Sequence, residues 1–106
     1  MPNLLLEALS VVERESLLRN CEQVDLVFGD ILCEPDRPMR HAYFPESGFI
    51  SLVTLIEGRA RLEVGLVGDD GMLGVGMSPG VATSPLRGLV QGSGRAWRIP
   101  APQFLR

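Results

Sequence analysis

Residues 48–67 limit the possible folds more than any other stretch. Gly48 to Ile56 is apolar at nearly every position, Glu57-Gly58 is a turn signal, and Arg59 to Val67 alternates. In the alternating stretch Ala60, Leu62, Val64 and Leu66 share one face, and Arg59, Arg61 and Glu63 share the other. A period of two puts successive side chains on opposite sides of a strand, so the two stretches read as a β-hairpin. The first strand, apolar on both sides, is expected to be covered on both.

Short strands recur on either side of this hairpin. From about Glu22, Val24, Leu26 and Phe28 alternate with polar neighbours until Gly29-Asp30, and Ile31-Leu32-Cys33 resumes the run. Cys33 to Arg40 is rich in turn residues, and His41-Ala42-Tyr43-Phe44 follows as a short strand expected to stop at Pro45. Leu89 to Ile99 returns to strand, interrupted by Gly92-Ser93-Gly94. Regularly spaced short strands separated by turns indicate a closed or sandwiched β-structure. The first twenty residues differ. Asn3 can cap a helix entering at Leu4, and Ser10-Val11-Val12-Glu13 is a capping-box pattern before a second helix ending near Asn20. Pro100 and Pro102 fit the first turn of a final helix.

Length and charge exclude several functions. A chain of 106 residues supports one core, so residues 1–106 are read as a single domain. The net charge of −3 and the absence of any Arg run argue against a grip on a phosphate backbone. Two cysteines, Cys21 and Cys33, are too few for a disulfide framework or a four-thiolate cluster, and fit a reducing cytoplasm. The N-terminus lacks a secretory n-region, and no run of about 18 apolar residues could cross a membrane.

Residues 71–88 are the segment with special backbone demands. Gly71, Gly74, Gly76, Gly80 and Gly88 interrupt it, together with Pro79 and Pro85. Glycine tolerates positive φ and close approach. Met72, Leu73, Val75 and Met77 would line an apolar pocket or fill the core, and core is the default.

Ordered features run along nearly the whole chain: Glu34-Pro35, Tyr43-Phe44-Pro45, Ser47-Gly48-Phe49-Ile50-Ser51-Leu52, Glu63-Val64-Gly65-Leu66-Val67-Gly68, Asp70-Gly71-Met72-Leu73-Gly74, Val90-Gln91, and Ala96-Trp97-Arg98-Ile99 after a Gly-Ser-Gly turn. As an ordered set they resemble the sensor domain of the Crp/Fnr family of bacterial transcription regulators. The resemblance implies a mainly β fold, a jelly-roll-like double-stranded β-helix of the cyclic-nucleotide-binding kind with short flanking α-helices. It also implies a phosphate-binding cassette in the glycine loop, where backbone amides and an arginine hold a cyclic phosphate.

Against that pattern, Gly74 matches the cassette's opening glycine, but Val75 stands where a ribose-binding glutamate is expected. Ser84 and Pro85 occupy the region of the phosphate-binding arginine and its hydroxyl neighbour, and the one arginine nearby is Arg87. The candidate ligand-binding residues of this degenerate cassette are therefore Gly71, Gly74, Val75, Gly76, Ser84 and Arg87. Lost charge-assisted contacts of about 1.5–3 kcal/mol each disfavour cAMP or cGMP, so no cofactor is expected and the effector is unknown or absent.

Other candidates read as structural. His41 lacks a metal-ligand cluster in sequence, Asp69-Asp70 is a solvated turn, Ser84 has no nucleophile motif, and Trp97 is a packing residue. Nothing points to an enzyme. The expected function is effector sensing for a cytoplasmic regulator that dimerises and reads DNA through a dimerisation helix and helix-turn-helix absent here, so the chain reads as a fragment. The alternative is a stand-alone β-roll module that binds a small ligand or a protein.

Overall fold

The computed structural model describes residues 3–35, 37–57, 59–74 and 86–104. Two short helices open it, α1 (Leu4–Glu7) and α2 (Val11–Leu18). Seven strands follow: β1 (Glu22–Leu26), β2 (Ile31–Cys33), β3 (His41–Pro45), β4 (Phe49–Ile56), β5 (Arg59–Val67), β6 (Arg87–Gly92) and β7 (Gly94–Pro100), and then α3 (Ala101–Phe104). The capping box forms as the sequence indicates. The Ser10 hydroxyl accepts from the Glu13 amide at 3.1 Å and the Glu13 carboxylate accepts from the Ser10 amide at 3.3 Å.

The strands make two antiparallel sheets, of order β1-β7-β3 and β2-β6-β4-β5. Four connections carry the chain from one sheet to the other, between β1 and β2, β2 and β3, β3 and β4, and β6 and β7. The crossings are laced together. Gly29 donates to the Val90 carbonyl at 2.9 Å, Val90 donates to that of Asp30 at 2.8 Å, and the Phe28 amide donates to the Ser93 hydroxyl at 3.0 Å. Gly48 turns the β3–β4 corner at φ 74, and a Cβ there would lie 2.3 Å from the Gly92 carbonyl oxygen. Only glycine allows the two corners to touch. Paired antiparallel strands coiling between two sheets make a mainly β, double-stranded β-helix with short flanking helices, as expected from the sequence.

The core lies between the sheets. Ile50 and Val90, opposite each other on β4 and β6, are fully buried, as are Ala42 and Ile99, opposite each other on β3 and β7. Leu6, Leu26, Tyr43, Phe44 and Leu73 join the same cluster.

One local expectation is sharpened and two change. β3 stops at Pro45, and the proline is itself the last paired residue, opposite Ala96. The strand lies at a sheet edge, where a missing N–H costs no ladder bond. β4 is covered at Ile50, Ser51 and Val53 but opens to solvent at Ile56. On β5 the apolar face looks outward: Leu62, Val64 and Leu66 are 62, 50 and 60% exposed. Two register shifts in the β4–β5 ladder, at Leu52/Val53 and Thr54/Leu55, intervene. Gly65 and buried Val67 face the core side, and the Ser51 hydroxyl donates a hydrogen bond to the Glu63 carboxylate.

Candidate functional site

The glycine loop begins on a fixed base. Tyr43 of β3 and Leu73 exchange backbone hydrogen bonds of 3.0 and 2.9 Å, which pins the residue just before Gly74 to the roll. Gly74 is buried and takes φ 122, a conformation that favours glycine. Below the bridge, Asn3 ties three segments together. Its amide donates to the carbonyls of Pro45 at 2.8 Å and Gly71 at 2.9 Å, and its oxygen accepts the amides of Leu5 and Leu6. The Leu4 amide also donates to the Asp69 carbonyl at 2.6 Å. Asn3, one of two buried polar residues in the described chain, therefore fills every hydrogen-bonding position it has. Sequence reasoning identified its capping role and missed the tether, because no local pattern points to partners 42 and 68 residues away.

At the far end of the loop, Arg87 opens β6. Its guanidinium holds the Glu34 carboxylate through two bonds, Nε to Oε1 at 2.6 Å and Nη2 to Oε2 at 3.2 Å. The hydrogen bond to Glu34 raises the Arg87 pKa above its ordinary value and keeps the charge in place. A bidentate pair of this kind uses the fork geometry that a phosphate would need. Beside it, Gly88 packs so closely that a Cβ would come within 2.9 Å of Cys33 Sγ and 3.2 Å of a Leu73 methyl.

Of the six candidate residues, Gly71, Gly74 and Arg87 are placed as above, while Val75, Gly76 and Ser84 lie outside the described residues, as do Met77 and Pro85. Gly71 contributes its carbonyl to Asn3, and Leu73 is core with Met72 packed against it. Asp69 and Asp70 occupy a turn closed by the Gly71 amide on the Gly68 carbonyl at 3.2 Å. Trp97 is half-buried against the core.

Both thiols are held protonated. Burial pushes Cys21 up to about 11, and burial raises Cys33 as well, with the Gly88 backbone opposing and the Glu34 charge assisting. His41 is pulled below its ordinary value by burial first and then by the Arg98 charge, while Glu22 opposes and Arg40 adds to the effect. Among the described residues no three of His, Cys, Asp and Glu gather as metal ligands, and no helix is long and apolar enough to cross a membrane.

No family model matches the sequence, and no curated protein matches it. Solved structures do share the fold. The regulatory domain of Toxoplasma gondii PKA, crystallised with cAMP, aligns at TM-score 0.77 and 15% identity, over 92% of this chain and 37% of that one. The sensor domain of the transcriptional regulator DNR from Pseudomonas aeruginosa aligns at 0.73 and 15%, over 94% of this chain and 67% of that one. The N-terminal domain of a transcriptional regulator from Streptomyces coelicolor A3(2) aligns at 0.70 and 18%, over 92% and 68%. The chain thus has the β-roll fold of cyclic-nucleotide-binding domains, a fold also used by sensor domains of transcriptional regulators. It spans 37% of the first structure's length.

Proposed function

We propose that this chain is the effector-sensing domain of a Crp/Fnr-type bacterial transcription regulator whose glycine loop does not take cAMP or cGMP in the usual way. The observation that carries the second half is the Glu34–Arg87 pair: the one arginine at the loop's described end is already held bidentately by a carboxylate. A cyclic phosphate would have to displace Glu34 from that pair before it could use the arginine. Val75, where the family pattern has a glutamate, removes the ribose contact as well. The first half rests on the family-like residues of the loop and corners, on the double-stranded β-helix, and on its likeness to sensor domains of regulators.

In this reading the domain is not an enzyme and needs no cofactor. It works in the cytoplasm as part of a homodimer, and DNA contact falls to a separate helix-turn-helix. Isothermal titration with cAMP and cGMP tests the loop: the expected result is no binding up to millimolar ligand, and micromolar binding overturns the reading. Sequencing the gene beyond codon 106 tests the regulator assignment, which requires a helix-turn-helix pattern there.

A further inference from the structure

A concave site lies on the roll beside the Glu34–Arg87 pair, and Glu34 is part of its lining. The β2–β3 connection, the start of β3 and the outer side of β7 enclose a groove of about 490 Å³, with Arg37, Arg40, His41 and Arg98 along it. The Tyr43 side chain, Cys33 and the apolar pair Ile31 and Leu32 complete the lining. That volume is in the range of small-molecule sites.

The charge balance of the groove is unusual for a chain with a net charge of −3. Glu34, the carboxylate in its lining, is neutralised by Arg87, and the lining Arg98 is itself paired with Glu22 at 2.6 Å. Arg37 and Arg40 have no carboxylate within ion-pairing distance among the described residues, so the groove keeps two uncompensated guanidinium groups. The backbone that carries them is anchored. The Arg37 amide donates to the Glu34 carbonyl at 3.4 Å, the Arg40 carbonyl accepts from Ala101 at 2.8 Å, and Met39 between them is buried in the core. His41 offers an N–H donor, and its ring lies 6.0 Å from that of Tyr43. Arg98 bonds Tyr43 as well as Glu22.

We propose that this groove binds a small dianion, with a phosphate monoester as the ligand class. Two free guanidinium forks match the oxygens and charge of a monoester, whereas a cyclic diester carries a single negative charge. A divalent cation is rejected by the same surplus, and an extended polyanion by the chain's overall negative charge. The site goes beyond the sensor assignment, which concerns the glycine loop. The two are joined at Tyr43, whose side chain lines the groove while its backbone pairs with Leu73, one residue before Gly74.

The test is titration of the full chain with a phosphate monoester such as phenyl phosphate, with inorganic phosphate, and with cAMP, near pH 7.5 in constant potassium chloride. Affinity is read by calorimetry and position by backbone amide shifts. The expected result is saturable binding of the monoester, with shifts at residues 37–43 and 98 and none at Leu62–Leu66. Binding should weaken on the order of tenfold in the Arg37→Gln/Arg40→Gln double variant and stay unchanged in Arg59→Gln. Equal affinity for inorganic phosphate assigns the groove to the free anion, and tighter binding of the ester assigns it to a phosphorylated small molecule. Either outcome supports a dianion site. Binding that survives the double variant, shifts confined to other residues, or no binding beyond the potassium chloride control overturns it. Tight cAMP binding with shifts at Gly71–Gly74 would instead refute the reading of the glycine loop and leave the groove to be judged on its own arms.

Discussion

Asn3→Ala should be among the most damaging single changes at the chain's edge. The side chain is 1% exposed and makes four hydrogen bonds, two as donor and two as acceptor. Loss of a helix N-cap alone costs about 1 kcal/mol. The substitution also strips the carbonyls of Pro45 and Gly71 of a donor, and a buried carbonyl without a partner costs about 1–3 kcal/mol. The helix it caps has only four residues, so it can fray away, but fraying withdraws Leu6, 4% exposed, from the core. The expected loss is about 3 kcal/mol, a large fraction of the 5–15 kcal/mol that keeps a domain folded. For a domain of this size that lowers Tm by roughly 10–20 °C. Urea unfolding followed by far-UV circular dichroism measures it, with the slope m unchanged. Asn3→Ser and Asn3→Asp separate the two roles, since both keep the capping oxygen and lose the amide donor. Asn3→Asp should be the worse of the two, because it sets a carboxylate against two carbonyl oxygens. An alanine variant that loses less than about 1 kcal/mol, or an aspartate variant as stable as the parent, would refute the tether.

Three further outcomes follow from the geometry. Gly88→Ala should cost about 1–3 kcal/mol by overpacking, and the loss should shrink when Cys33→Ala removes the sulfur it meets; additive losses in thermal unfolding would contradict this. The raised thiol of Cys21 gives a stability contribution that is fully present below its ordinary value of 9.0 and is lost as pH rises toward about 11. Urea midpoints should therefore fall across that window, and Cys21→Ser should reduce the fall. Glu34→Gln, which breaks a bidentate pair whose side chains are 35 and 21% exposed, should cost only about 0.5–1 kcal/mol, and a loss above about 3 kcal/mol in denaturant titration would show that the pair is more desolvated than its exposure indicates.

Much of the roll was legible from local pattern. The strand at Ile31–Cys33, the hairpin turn at Glu57, the Gly-Ser-Gly break and the capping box at Ser10 are each encoded within a few residues. The facing of β5 was not. Alternation says that Leu62, Val64 and Leu66 share a side of the strand, but the pairing of Val67 with buried Ile50 across the ladder decides which side meets the core. Likewise, the break at Ser93 was visible, but not that β6 and β7 belong to different sheets. Of the glycine loop, the sequence indicated the conformational demand that Gly74 meets with φ 122. It did not indicate that Arg87 is already engaged.

By itself, then, the sequence determined where strands and helices begin, which residues cap them, and which segment needs glycine, because those properties depend on neighbours within one or two turns of chain. The tertiary structure decided the charge relations. Arginines that look scattered in the sequence converge on one groove, and the pairs Glu34–Arg87 and Glu22–Arg98 that border it span 53 and 76 residues. Such pairings arise only when coiling of the two sheets brings distant strands within a hydrogen bond of each other. Whether an arginine is free to meet an anion is therefore settled by the fold and not by its place in the chain.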